Sequence, residues 1–258
     1  RLALEKTSID AASFTLIRLL SGGVALAIVC LMTKKNWKPS RPHPVPILAL
    51  FFYMVCFSFA YIKLSAGTGA LLLFGFVQIT MMGVAIAQGK KMSGIAWGGL
   101  ICAMMGLVYL VSPGISAPEP FFAILMAIAG IAWGIYSLYG GKVTDATSST
   151  ASNFLYATLL GFFLSMFLIE SAYLTVEGVI LALSSGVLAS GLGYAVWYRV
   201  LPLIPVTSAA SLQLSVPALA AFGGIIFIGE PITSRLIVSV LLIIGGIAVV
   251  IEQNRKSN

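Results

Sequence analysis

Long apolar runs separated by short polar stretches repeat along the whole chain, and the runs share one length. About 20 residues at 1.5 Å rise cross a hydrocarbon core about 30 Å thick. The runs near 9–32, 45–63, 67–88, 93–111, 120–140, 150–169, 178–198, 206–228 and 234–251 are therefore predicted to be spanning helices. The polar stretches between them are too short to build a separate water-soluble domain. The pattern predicts an all-α polytopic membrane protein.

Composition supports this reading. Apolar residues make up 59% of the chain and charged ones 9%, a balance that water-soluble domains do not show. The few charges also sort by side. Threading the chain through nine spans puts Lys34, Lys35, Lys38, Arg41, Lys90, Lys91, Lys142, Arg199, Arg255 and Lys256 on one face, with only Arg1, Lys6, Lys63 and Arg235 on the other. Cations mark the cytoplasmic side, so the C-terminus is expected to be cytoplasmic and the chain to enter its first span from outside. Acidic residues lean the other way: Glu5, Asp10, Glu119, Glu170, Glu177 and Glu230 fall outside, and Asp145 and Glu252 inside. The net charge of +7 thus reflects anchoring at the inner face. A nucleic-acid partner is not indicated, because no basic helix or aromatic-basic interleaving is present.

A repeat runs through the chain. Shifting it by 140 residues without a gap places Thr7 and Ser8 on Thr147 and Ser148, Ala11 on Ala151, Phe14 on Phe154, and Leu19 and Leu20 on Leu159 and Leu160. The same shift superposes Leu48 and Ala49 on Leu188 and Ala189, Ala70 on Ala210, Leu72 on Leu212, Gly83 on Gly223, Ile86 on Ile226, Gly89 on Gly229 and Gly106 on Gly246. The constant register weighs more than the number of identities, because so apolar a composition produces chance matches. The run 120–140 has no counterpart, since its partner would precede Arg1. A further helix is expected there, giving two repeats of five helices with the first helix missing from this chain. The first repeat then occupies 1–111 and the second 112–258. An odd number of helices per repeat inverts the second copy, the arrangement of many secondary transporters.

The residues resemble the EamA-type branch of the drug/metabolite transporter superfamily. The resemblance is carried by Phe14-Thr-Leu-Ile-Arg18-Leu, Ala129-Gly-Ile-Ala-Trp133-Gly-Ile-Tyr136-Ser137, Ser208-Ala-Ala-Ser211-Leu with Pro217, Gly229-Glu230-Pro231, and the glycine-rich Leu242-Ile-Ile-Gly245-Gly246. It spans the whole chain. It implies a ten-helix carrier with cytoplasmic termini that moves small metabolites, often outward. The first repeat departs from the pattern, having Gly89-Lys90 where the second has Gly229-Glu230, and Val77-Gln78 where the second has Pro217-Ala218.

Polar residues inside spans need a partner or a cavity. Arg18 lies about ten residues into its span. Its two readings are a substrate carboxylate or phosphate as partner, and a structural role, locked onto helix-end carbonyls or snorkelling toward an interface. Gln78 and Gln213 offer a donor and an acceptor without the cost of burying charge. Pro217 frees the carbonyl of Gln213, four residues back. Trp133, Tyr136, Tyr53 and Tyr194 are placed deep enough to grip an apolar or cationic solute by ring contact, and packing between helices is the other use for each. Trp197, Tyr198 and Tyr139 sit near helix ends, where aromatic belts form. Gly94 with Gly98, Gly130 with Gly134, and Ala189 with Gly193 are spaced for close helix packing. Glu230 and Pro231 read as a helix boundary.

Other chemistries lack their residues. His43, the only histidine, lies between prolines in the loop 33–44, and no Asp or Glu sits clearly within a span. Serine–histidine hydrolysis and metal catalysis have nothing to work with. Cys30, Cys56 and Cys102 show no metal or redox spacing, and no phosphate-binding glycine loop appears. The sequence thus points to a secondary carrier and not to an enzyme, with no cofactor and no metal. It would move a small organic metabolite, such as an amino acid or related solute, across a bacterial-type inner membrane. The competing class is a non-transporting membrane scaffold or sensor with a carrier-like fold. Arg18, Gln78, Trp133, Tyr136, Ser211 and Gln213 are the candidate solute contacts. A monomer suffices physically, because both halves of the passage come from one chain.

Overall fold

The structure, a computed structural model, describes residues 2–5, 9–33, 37–89, 93–112, 117–140, 143–200, 216–217, 219–220 and 222–257. Its helices are α1 Leu2–Glu5, α2 Ala11–Thr33, α3 Pro44–Ala60, α4 Ala66–Ala87, α5 Gly94–Val111, α6 Pro120–Gly140, α7 Ala146–Phe167, α8 Val176–Ser184, α9 Gly193–Val200 and α10 Ser234–Ser257. A π-helical segment, Ser185–Leu192, joins α8 to α9 as one rod. Among the described residues the only strand-like pairing is an antiparallel bridge between Ile9 and Leu174.

Eight of the nine expected spans coincide with described helices. The remaining one, 206–228, falls mainly outside the described residues, its far end closing in a π-helical turn at Gly224–Ile228. By length and apolarity, five described helices can each cross a bilayer: α2, α6, α7, the rod Val176–Trp197 and Ser234–Gln253. Of the other apolar helices, α3 has 17 residues, α4 22 and α5 18. Side chains such as Phe167, 89% exposed, and Phe163, 67% exposed, stand open as lipid-facing residues do. The protein is an all-α polytopic membrane protein.

Helix starts follow local capping chemistry. Ser65, Ser93 and Thr175 accept from the backbone N–H three residues on, at Thr68, Ala96 and Gly178. The expected span 150–169 begins earlier, at Ala146, because Asp145 Oδ1 accepts from Ser148 N at 3.2 Å and stabilises a first turn rich in hydroxyls. One turn on, Ser152 Oγ donates to Ser148 O at 2.9 Å, four residues back.

The chain divides into two compact units, each built from both halves of the sequence. One comprises residues 1–62 and 135–203, and the other 63–134 and 204–258. In the first unit, α2 and α7 run antiparallel. Ser165 Oγ donates to Ala12 O at 3.4 Å, Gly161 faces Leu19, Gly22 faces Phe154, and Cys30 Sγ lies 3.9 Å from Ser148 Oγ. In the second unit, α5 and α10 also run antiparallel. Gly99 faces Gly246, Cys102 Sγ donates to Leu242 O at 3.6 Å, and Gly106 faces Ile243. Each pair joins helices that the 140-residue shift superposes.

Two local devices recur at the same offset. Gly89 and Gly229 are the positive-φ glycines among the described residues, at φ 83° and 74°. Each follows a helix end in the left-handed region that costs glycine least. Four residues later, Ser93 Oγ accepts from Ala96 N at 3.2 Å and Thr233 Oγ1 accepts from Leu236 N at 3.1 Å. The stop and the restart are thus built alike in both copies.

Candidate functional site

The first unit holds the most distinctive polar group of the membrane region. Arg18 is the eighth residue of α2, about 10 Å along the helix axis from its start. It is 6% exposed. Its Nε donates to Ser190 Oγ at 3.1 Å. Its guanidinium carbon lies 5.0 Å from the ring centre of Phe57 and 5.9 Å from that of Tyr53, both on α3. Three helical segments therefore converge on one cation, and its Nη1 has no hydrogen-bond partner among the described residues.

The local fold brings Ser190 to this point. Gly186 and Gly191, in the π-helical segment, lie against α2. A Cβ at Gly186 would stand 2.7 Å from Arg18 O, and one at Gly191 would stand 2.6 Å from Ala25 Cβ. Only hydrogen at these positions allows the approach. The π-helical turn widens the backbone between the two glycines and carries Ser190, fully buried, toward the guanidinium. Tyr53, a ring the sequence leaves between solute contact and packing, lies beside Arg18. Ser190 is not among the residues the sequence singles out, since a partner 172 residues away leaves no local signal.

Tyr136 is also in this unit and is 2% exposed. Its hydroxyl donates to Thr150 Oγ1 at 3.2 Å and accepts from Asn153 Nδ2 at 3.5 Å, linking α6 to α7. Tyr194 packs edge-on against Phe154 at 5.8 Å. A cavity of about 350 Å³ opens at the other end of α2, bordered by Cys30, Thr33, Asp145, Ser148 and Ala195. Among the described residues, no sequence candidate borders it.

Gln78 and Trp133 belong to the second unit. Gln78 borders a cavity of about 10 Å³ among Leu100, Ala103, Leu107, Ile247 and Val250, room for at most one water. Trp133 is half-buried, on the stretch of α6 where Gly130 and Gly134 press against Leu73 O and Thr80 of α4. The expected Gly130–Gly134 seam is thus a real contact, whereas Gly94 and Gly98 face open space and the contact forms one residue on, at Gly99. Ser211 and Gln213 lie outside the described residues, as does the carbonyl that Pro217 is expected to free.

The second unit also shows how this protein satisfies a structural cation. Arg235 Nη1, at the start of α10, donates to Ser112 O and to Leu110 O (3.4 Å), the carbonyls that end α5. Its guanidinium carbon lies 5.6 Å from the Tyr109 ring centre. Glu230 makes the complementary contact. Its two carboxylate oxygens accept from Ala66 N at 2.7 and 2.9 Å, at the positive end of α4. Among the described residues, no cluster of three His, Cys, Asp or Glu is placed to hold a metal.

Residues 120–252 match the EamA-like transporter family, and this stretch covers more than half of the chain. The chain belongs to the EamA-like transporter family. A Pseudomonas aeruginosa relative, called uncharacterized protein PA1977, is 44% identical over 97% of this chain and 88% of its own length. Two Bacillus subtilis relatives, the uncharacterized transporters YoaV and YwfM, are 25% and 26% identical over 91% and 98% of this chain, and over 85% and 88% of their own lengths. A solved crystal structure superposes at a TM-score of 0.67 over 94% of this chain and 89% of that chain, at 17% identity, a likeness of fold. Within the EamA family, the chain is a membrane transporter for a small-molecule solute.

Proposed function

We propose that this transporter is a secondary carrier working by alternating access between two inverted repeats, at 1–111 and 112–258. It moves a small organic metabolite, an amino acid or related solute, outward across a bacterial-type inner membrane, with its C-terminus in the cytoplasm. The observation that carries the reading is the antiparallel pairing of shift-related helices, α2 with α7 and α5 with α10. A repeat inverted in the membrane requires this sense, and two copies that can exchange conformations expose one site to either side in turn.

Arg18 anchors the solute in this reading, with Gln78, Trp133, Tyr136, Ser211 and Gln213 as further contacts along the passage. The test is exchange in proteoliposomes of the full-length protein, loaded and challenged with a panel of amino acids, nucleobases and small organic acids. Saturable counterflow of at least one class is expected, with Gln213→Ala depressing the rate while the melting temperature holds. Absence of exchange across the panel, with correctly inserted protein, overturns the carrier reading.

A further inference from the structure

Arg18 and Arg235 are held in opposite ways. Arg235 rests on helix-end carbonyls, the solution a purely structural arginine finds in a membrane protein. Arg18 has none among the described residues. Among the described residues it meets one neutral hydroxyl and two ring faces, and its Nη1 is buried with no acceptor there. A guanidinium does not shed its proton, so it cannot escape the cost of burial by neutralising itself, as a lysine does. A ring face and a hydroxyl leave its formal charge unbalanced.

We infer that Arg18 is the docking point for the carboxylate of the transported solute, an inference that rests on the carrier reading above. Ser190 fixes the guanidinium at Nε, while Phe57 and Tyr53 fix its plane. Nη1 is thereby held in one place with its donors unspent, and a carboxylate oxygen accepts a charge-assisted hydrogen bond there. The hydroxyl of Ser190 is held at the guanidinium edge by glycine contacts that tolerate no side chain, so the arrangement is built before the anion arrives. Position within α2 separates a solute from a lipid. At about 10 Å along the helix from its start, the group lies below the depth at which headgroup phosphates reside. A solute lacking an anionic group would leave the charge unbalanced in the loaded state as well.

The experiment compares the full-length protein with Arg18→Met and Arg18→Lys in detergent and in proteoliposomes. The probes are matched pairs of carboxylic acids and their carboxamides, including N-acetylphenylalanine against its amide and several free amino acids against theirs. Without added anion, Arg18→Met is expected to melt at or above the wild-type temperature, because it replaces an unbalanced charge with an apolar chain of similar length. Wild-type protein is expected to be stabilised by at least one acid and not by its amide. Arg18→Lys should bind that acid about tenfold more weakly, and Arg18→Met about a hundredfold or more.

A clear drop in the melting temperature of Arg18→Met would make the arginine structural and overturn the inference. Stabilisation by phosphatidylglycerol alone would assign the group to lipid and overturn it equally. So would exchange of neutral or cationic solutes only, which would leave the carrier reading standing. Acid-specific binding without exchange in either direction would do the reverse, supporting the dock and removing the carrier.

Discussion

Two arginines in one chain show how much a side chain's meaning depends on its acceptors. In the sequence, Arg18 reads as a cation inside a span and Arg235 as one of the few cations at the opposite face from the rest. In the structure, Arg235 ties the end of α5 to the beginning of α10 through the carbonyls of Leu110 and Ser112. Removing it leaves those carbonyls unpaired at a helix terminus, a loss of about 1 to 2 kcal/mol. Arg235→Met is therefore expected to lower the melting temperature, the opposite of the effect expected for Arg18→Met. Circular dichroism melts of the two variants in one detergent check the contrast. Glu230 obeys the same logic with the sign reversed, since its carboxylate meets the N-terminal amide of α4. Glu230→Ala should cost about 1 kcal/mol and Glu230→Gln less, because the amide oxygen still accepts.

Among elements, spans are legible wherever apolar residues alone decide the helix. Hydropathy has no means of seeing a cap, which is why the Thr147-Ser-Ser-Thr150 turn reads as loop although Asp145 starts the helix before it. The π-helical segment Ser185–Leu192 is equally hidden, since its Gly, Ala and Ser residues suit an ordinary helix and only packing against α2 selects the wider turn. The candidate site is legible in part for a related reason. Arg18 announces itself by cost, whereas Ser190 becomes a partner only through tertiary contact. The 140-residue shift is readable at Gly89 and Gly229, and the structure adds that both are left-handed and that the hydroxyl caps of Ser93 and Thr233 follow in the same register. The α5–α10 crossing is sensitive to change because two backbones touch there. A Cβ on Gly99 would lie 2.6 Å from Gly246 O, and one on Gly246 would lie 2.6 Å from Ala103 N. Gly246→Val must spread two backbones and is expected to cost about 1 to 3 kcal/mol, read as a lowered melting temperature. Gly245→Val, whose added Cβ meets open space, is the control that should stay within about 1 kcal/mol.

At the scale of the whole molecule, the proposed orientation makes a claim that no single helix can test. Ser40 precedes α3 and Ser171 follows α7, so five helices separate them, and five crossings put them on opposite faces. With Cys30, Cys56 and Cys102 replaced, cysteine at either position gives a clean reporter, because both side chains are exposed. The cation count places Ser40, beside Lys38 and Arg41, in the cytoplasm. A membrane-impermeant maleimide applied to spheroplasts is therefore expected to label Ser171→Cys, and to label Ser40→Cys only after lysis. Exchanged labels would reverse the orientation and leave the inverted repeat intact, since the two sites would still lie apart. Labelling of both from one side has a different consequence. One of the five helices would then fail to cross, and the first to suspect is α3, whose 17 residues reach only about 26 Å against a core of about 30 Å. The first copy would then no longer mirror the second, and alternating access by exchange between equivalent halves would lose its structural basis.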